Sequence, residues 1–260
     1  MGCAEATPVT ECAAHMGPKP GDAEHMESFN LKPGRKLGSG YEVVELLGTG
    51  WEGEVYRVVE LRTGIHRAAK LFFPHWANSQ RELIKYARRL TKLAECFIVV
   101  HYHHHDVARI RGSKVDFLVA DYVPGEQLYR LIQRQRGRRL PPFEALYIAH
   151  ALAAGVEQIH DLGDYHGDIH SENIMVRRIG AHHQLRLIDL LDMGRPNSTR
   201  RQDDALDIVR LLGEMLGGRE RYSSFPESMK KLCKGLRADH LRRAYRNAAD
   251  VRKAIEALEW

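Results

Sequence analysis

The sequence predicts an α+β chain in two lobes: a small antiparallel β lobe of five strands and one helix, then a larger, mainly helical lobe. Three observations lead there. Between Tyr41 and Tyr122 the chain runs in short β-rich segments punctuated by glycine. Beyond residue 126 apolar residues recur at helical spacing. The change falls at Pro124-Gly125, a turn signal. With 260 residues the chain can bury one good core or two small ones.

Residues 1–38 are rich in Gly, Pro, Ala and scattered charge without periodicity, and read as a flexible tail. The folded domain is expected over 39–260, with the small lobe at about 39–122 and the large lobe at about 124–260. Tyr41–Leu47 and Glu54–Val59 are strand candidates flanking a glycine turn, and Ile65–Phe73 is a third. Ser79–Glu95 places Leu83, Tyr86, Ala87, Leu90, Leu93 and Ala94 on one helical face. Cys96–His105 and Val115–Tyr122 complete the five strands. In the large lobe, 127–134, 143–162, 203–216, 227–236 and 248–258 read as helices. Ile174–Arg178 and Leu185–Asp189 read as short strands around Gly180.

Composition narrows the function classes. Hydrophobic residues at 43% and charged residues at 28% fit a globular chain. The formal charge of +5 arises partly from arginines at 134–139, 200–201 and 242–246. These read as solvated surface; no aromatic interleaving points to nucleic acid. Cys3, Cys12, Cys96 and Cys233 have neither zinc spacing nor a disulfide framework, which suits a reducing, cytoplasmic compartment. Apolar runs such as Phe97–Val100 are too short to span a bilayer. Ala6 stands where an N-myristoylation site wants Ser or Thr, so Met1-Gly2 reads as chance.

Chemistry concentrates in His166-Gly167-Asp168-Ile169-His170-Ser171-Glu172-Asn173. Asp168 offers a carboxylate to orient an attacking hydroxyl. Asn173, five residues on, offers an amide oxygen to a metal beside the same phosphate. Upstream, Gly48-Thr49-Gly50-Trp51-Glu52-Gly53-Glu54-Val55 follows G-x-G-x-x-G-x-V, where glycines let backbone amides approach phosphates. It joins two strands, unlike a dinucleotide-binding turn, which leads into a helix.

The catalytic string resembles H-R-D-x-x-x-x-N of the protein-kinase-like superfamily, and its companions stand in the superfamily's order. The resemblance covers about residues 40–260, and it implies a two-lobed kinase fold that binds ATP and Mg2+ between its lobes. On that basis Gly48, Gly50 and Gly53 would cover the phosphates and Val55 roof the adenine. Ala68-Ala69-Lys70, fifteen residues beyond Val55, resembles V-A-I-K, which assigns Lys70 to the α- and β-phosphates. Glu82 is the candidate carboxylate partner of Lys70. Phe117–Glu126 looks like a hinge, with Asp121 and Val123 along the adenine edge, a small Ala120 at the gate, and Glu126 near the ribose. Met175 would form the adenine floor. Asp168 becomes the catalytic base, and Asn173 a magnesium ligand. Asp189, sixteen residues past Asn173, is the second metal ligand, with Asp192 as runner-up. Asp204 is expected to bind catalytic-loop amides from a buried helix.

Two departures bear on the acceptor. Gly167 replaces the Arg that pairs with a phosphorylated activation loop, and His170 replaces the Lys that steadies the γ-phosphate. The H-G-D-x-H pattern is also common in small-molecule kinases resembling aminoglycoside phosphotransferases. Only fourteen residues separate Asp189 from Asp204, with no A-P-E between them. Ser198 and Thr199 there read as turn residues. The segment 232–258, with Arg243–Val251, instead resembles the closing helices of bacterial Ser/Thr protein kinases. The expectation is therefore an atypical Ser/Thr protein kinase, with a small hydroxylated acceptor or a nucleotide-binding pseudokinase as the alternatives. Separately, His101, His103 and His105 alternate along one expected strand, and strand alternation would put all three on one face, a minor zinc candidate.

Overall fold

The computed structural model describes residues 28–74, 80–180, 182–190 and 194–259, with backbone alone for 80–82. The small lobe is built on β1 (Lys36–Leu37), β2 (Tyr41–Gly50), β3 (Gly53–Glu60), β4 (His66–Phe72), β5 (Tyr102–Ile110) and β6 (Ser113–Asp121). They form one antiparallel sheet in the order β1-β2-β3-β4-β6-β5. Helix α1 (Gln80–Lys92) follows β4.

Two expectations change here. The sheet has six strands rather than five, because Lys36–Leu37 pairs with Tyr41–Glu42. Residues 28–38 were expected in the tail, yet Phe29 and Leu37 are buried in the small-lobe core. Their docking is polar as well as apolar. Glu54 on β3 accepts from Ser28 Oγ at 2.7 Å and from Phe29 N at 3.2 Å, and Tyr56 Oη accepts from Leu31 N at 3.1 Å. A tail composition hid two apolar anchors because they are isolated rather than periodic.

The strand expected at Cys96–His105 lies later. Residues 96–101 lie outside any strand, with a turn at 97–98 and a lone parallel bridge from Val99 to Leu187, and β5 begins at Tyr102 and continues to Ile110. Arg111 and Gly112 both have positive φ, 49° and 84°, as a two-residue hairpin with the right twist requires.

The faces of the central strands divide cleanly. Tyr56, Ala69 and Val119 are buried in the sheet core, while Val55, Ala68, Lys70 and Ala120 lie half-buried on the opposite face. Register places Val55 opposite Lys70 and Ala68 opposite Ala120, so these four share that face. The inner face of α1 (Leu83, Tyr86, Leu90) and Leu93 just after it belong to the large-lobe core, which joins the two lobes.

The chain crosses between lobes at 122–125 and enters β7 (Glu126–Gln127), which pairs with β8 (Ile174–Ile179), itself paired with β9 (His182–Leu187). Gly125 sits at φ 129°, and a Cβ there would lie 2.4 Å from the Val176 carbonyl oxygen. Only glycine suits that crossing. The large lobe is completed by α2 (Leu128–Gln133), α3 (Pro142–Asp161), α4 (Ser198–Met215), α5 (Glu227–Cys233), α6 (Ala238–Ala244) and α7 (Ala248–Glu256). Helix α6 was not anticipated. Ser198 and Thr199 start α4 rather than sitting in a turn, because the Asn197 side chain accepts from Arg200 N at 2.9 Å and caps the helix. No helix among the described residues is long and apolar enough to cross a membrane.

Candidate active site

The loop after α3 is tied to α4 by side chains, chief among them Asp204, with Glu214 accepting from Ser171 Oγ at 2.7 Å and Arg200 NH1 donating to Tyr165 Oη at 3.0 Å. Asp204 is fully buried and accepts from His166 N at 2.7 Å, Gly167 N at 2.8 Å and His160 Nε2 at 3.0 Å. The Ala248 amide donates to His160 Nδ1 at 3.3 Å, so Nε2 carries the proton that faces Asp204. His166 is likewise fixed: its Nδ1 accepts from Asp168 N at 3.2 Å, and Nε2 donates to the Ile188 carbonyl at 3.2 Å. Burial pushes the His166 pKa down, which keeps this clamp neutral.

The Asp168 carboxylate therefore stands on a loop braced from two sides. Asn173 Nδ2 donates to its Oδ2 at 2.8 Å and to its carbonyl at 3.1 Å, which leaves the Asn173 Oδ1 as an acceptor. His170 Nε2 lies 3.4 Å from the same carboxylate. Its hydrogen bond lowers the Asp168 pKa, and Asp168 in turn raises that of His170.

Across the cleft, Lys70 Nζ lies 2.5 Å from Asp189 Oδ1 and 2.8 Å from Glu52 Oε2. Burial works against the ammonium, but Asp189, Tyr86 and Glu52 outweigh it and hold Lys70 charged. Burial raises the Glu52 pKa, with Lys70 opposing. Glu52 Oε2 and Lys70 form a close ion pair within the small lobe. Asp189 has φ 58°, a left-handed conformation that a short polar side chain tolerates and that recurs at functional sites. The Ile188 amide donates to the Asn173 carbonyl at 3.0 Å, which ties the Asp189 segment to Asn173. Arg89 of α1 braces the same region, reaching Asp164 Oδ1 at 3.0 Å and the Leu190 carbonyl at 3.1 Å.

The remaining expected residues line this cleft or border it. Val55 and Ala68 share the sheet face that carries Lys70. Met175, on β8 opposite Gln127 and Arg186, lies half-buried on the large-lobe side. The loop from Gly48 to Gly53 is a tight hairpin with Gly50 opposite Gly53. A Cβ at Gly53 would lie 1.8 Å from the Leu71 carbonyl oxygen, whereas Gly48 and Gly50 have open space. Val123 sits in the crossing segment.

Two hinge carboxylates are engaged elsewhere. Asp121 turns outward to Arg67 NH1 at 2.5 Å and His103 at 2.7 Å, so its carboxylate is directed away from the face that carries Lys70. Glu126 forms a bidentate pair with Arg134, with contacts of 2.7–3.1 Å. The side chain of Glu82 and all of Asp192 lie outside the described residues.

Glu52 was missed. It occupies a variable position of the glycine motif, where sequence reading looks only at the glycines. The available signal was register: Gly53 pairs with Phe72, which brings its neighbour to the end of the strand that carries Lys70. Asn173 and Asp189 present oxygen donors only, the set a hard divalent cation takes. Beside the loop, a cavity of about 370 Å³ is lined by Gly167, Asn197, Thr199, Arg200 and Asp203.

A family model described as protein kinase domain matches residues 41–207. Among curated proteins, the chain is 30% identical over 191 residues to the serine/threonine-protein kinase pkn2 of Myxococcus xanthus, covering 70% of this chain and 21% of that protein. It is 28% identical over 160 residues to the serine/threonine-protein kinase nrc-2 of Neurospora crassa, covering 60% and 25% respectively. The chain thus spans about a quarter of the length of such relatives. A crystal structure of the Mycobacterium tuberculosis PknI kinase domain superposes with a TM-score of 0.66 at 20% identity, covering 87% of this chain and 98% of that one. The two-lobed fold is therefore the protein kinase fold.

Proposed function

The chain belongs to the protein kinase domain family, and we propose that it transfers the γ-phosphate of ATP to a serine or threonine hydroxyl of a protein. Membership brings ATP and a divalent cation in general; magnesium is our specific assignment. The observation that carries the reading is the pairing of Lys70 with Asp189 across a cleft from Asp168 and Asn173. It joins the two halves of a phosphoryl-transfer site.

In this reading Asp168, kept ionised by His170, accepts the acceptor hydroxyl's hydrogen bond and then its proton. Lys70 holds the α/β-phosphates, His170 in its charged form faces the γ-phosphate, and Asn173 Oδ1 and Asp189 hold magnesium. Magnesium, when bound, neutralises charge on the phosphates. Val55, Ala68 and Met175 enclose the adenine, with the main chain of 121–123 at its edge. The glycines at 48, 50 and 53 cover the phosphates. Glu52 holds Lys70 while the cleft is free of nucleotide and yields it to the phosphates, because a carboxylate and a triphosphate repel in the same space. Buried free thiols at Cys96 and Cys233 support a reducing, cytoplasmic setting.

Gly167, the short segment before α4 and the cavity beside them favour a second reading, a small hydroxylated acceptor. Intact mass after incubation with ATP and magnesium tests both. A phosphate gained by the parent and not by Asp168→Ala supports protein kinase activity. ATP turnover that requires a sugar or aminoglycoside, with no mass gained on this chain or on added protein, supports the second reading. Equal phosphate gain by Asp168→Ala refutes the role of Asp168.

A further inference from the structure

The geometry points to a binding site for a zinc-class divalent cation on the outer face of the hinge, made by His101, His103 and Asp121. One donor atom from each of the three lies within 4.8 Å of the others. Two imidazole nitrogens and one carboxylate oxygen, with water in the fourth position, are a set that Zn2+ takes and that Mg2+ does not favour. The site is thus chemically distinct from the all-oxygen pair Asn173 and Asp189, and it does not depend on the activity proposed for the cleft.

Backbone irregularity builds it. In the β5–β6 ladder Tyr102 pairs with Ala120 but His104 pairs with Val119, so His103 is the extra residue of a bulge. A bulge re-aims the side chain it carries. Here it brings His103 Nε2 to 2.7 Å from Asp121 Oδ1. The Asp121 amide donates to the His101 carbonyl at 2.9 Å, which anchors the third member beside the other two. The His101 and His103 rings lie 5.0 Å apart, edge to face. Regular alternation would have grouped His101 with His103 and His105. The bulge breaks that trio: His105 Nε2 lies 2.7 Å from Asp116, and His104 Nε2 contacts Tyr41 Oη at 3.4 Å.

Arg67 opposes a cation, since its NH1 lies 2.5 Å from Asp121 Oδ1. Both Arg67 and His103 take Oδ1, however, which leaves Oδ2 to a metal. Arg67 then acts as an outer partner that orients the ligating carboxylate. All three residues are partly exposed, so an ion has direct access. Asp121 is the last residue of β6 before the lobe crossing, so a bound cation would tie the start of β5 to the hinge.

The test is titration of the chelator-stripped full chain with Co2+ and then Zn2+, read by visible absorption and calorimetry. The chain carries 15 histidines, so position-specific controls decide the outcome. The parent should bind one equivalent with the intense visible bands of four-coordinate cobalt, and zinc should displace it. The pair His101→Ala with His103→Ala should lose the bands and bind zinc at least tenfold more weakly, and His101→Gln alone should weaken binding in the same direction. His105→Ala should bind like the parent. The proposal is overturned if the paired variant, with parent-like circular dichroism, keeps the parent's affinity. It is equally overturned if the parent shows no four-coordinate bands, or if His105→Ala abolishes binding. Should the paired variant not fold, parent-like binding by His101→Gln is the overturning result.

Discussion

Replacing Asp204 with Asn exchanges one carboxylate oxygen for an amide NH2 at the point where the catalytic loop hangs from α4. Asp204 Oδ2 serves His166 N and His160 Nε2, and Oδ1 serves Gly167 N. The amide of Asn does best by keeping its oxygen toward the two donors and facing its NH2 to the Gly167 N–H. That sets two donors, the buried amide NH2 and the part-buried Gly167 N–H, against each other without an acceptor, costing about 1–3 kcal/mol. The two remaining bonds lose their charge assistance, about 1 kcal/mol each. The sum is about 3–5 kcal/mol. At about 2–4 °C per kcal/mol for a domain of this size, Tm should fall by about 6–20 °C. Gly167 also precedes Asp168, so release of its amide shifts the proposed base. A displacement of about 1 Å costs about 100-fold in rate. Thermal melts by circular dichroism, and transfer rates measured well below both midpoints, check the two effects separately. A midpoint within about 2 °C of the parent would refute the suspension of the loop from Asp204.

Glu52→Gln removes a buried negative charge from the phosphates' path, and ATP affinity by calorimetry should rise by about tenfold, since one such step is about 1.4 kcal/mol; weaker binding would instead make Glu52 the carboxylate that positions Lys70. The raised His170 pKa keeps the imidazolium present above the ordinary 6.5, so the transfer rate should fall as pH climbs through that raised value. His170→Lys should remove this alkaline limb, and a pH profile unchanged by it would sink the role of His170. Gly53→Ala forces a Cβ to 1.8 Å from the Leu71 carbonyl oxygen and should lower both Tm and ATP affinity. Gly48→Ala meets open space and should leave Tm unchanged; equal Tm losses in the two would contradict the tight approach of β3 to β4 at Gly53.

Much of this arrangement was legible in the amino-acid order because it rests on local signals. The helical spacing of Leu83, Tyr86, Leu90 and Leu93 and the turn at Pro124-Gly125 are set by neighbours a few residues away. The expected binding of catalytic-loop amides by Asp204 came from its resemblance to a known helix. What stayed hidden depends on register between distant strands. Glu52 meets Lys70 only because Gly53 pairs with Phe72. His103 leaves its expected trio because one residue is extra in the β5–β6 ladder. The apolar anchors Phe29 and Leu37 are single residues in polar surroundings, without a period to betray them.

The central claim is that Asp168 serves the acceptor hydroxyl rather than the nucleotide. ATP affinity and phosphate-transfer rate, measured on one preparation of Asp168→Asn beside the parent, test it most directly. ATP affinity is expected within about threefold of the parent and transfer slower by about 100-fold or more, the scale of a lost general base. Transfer at the parent's rate would contradict it.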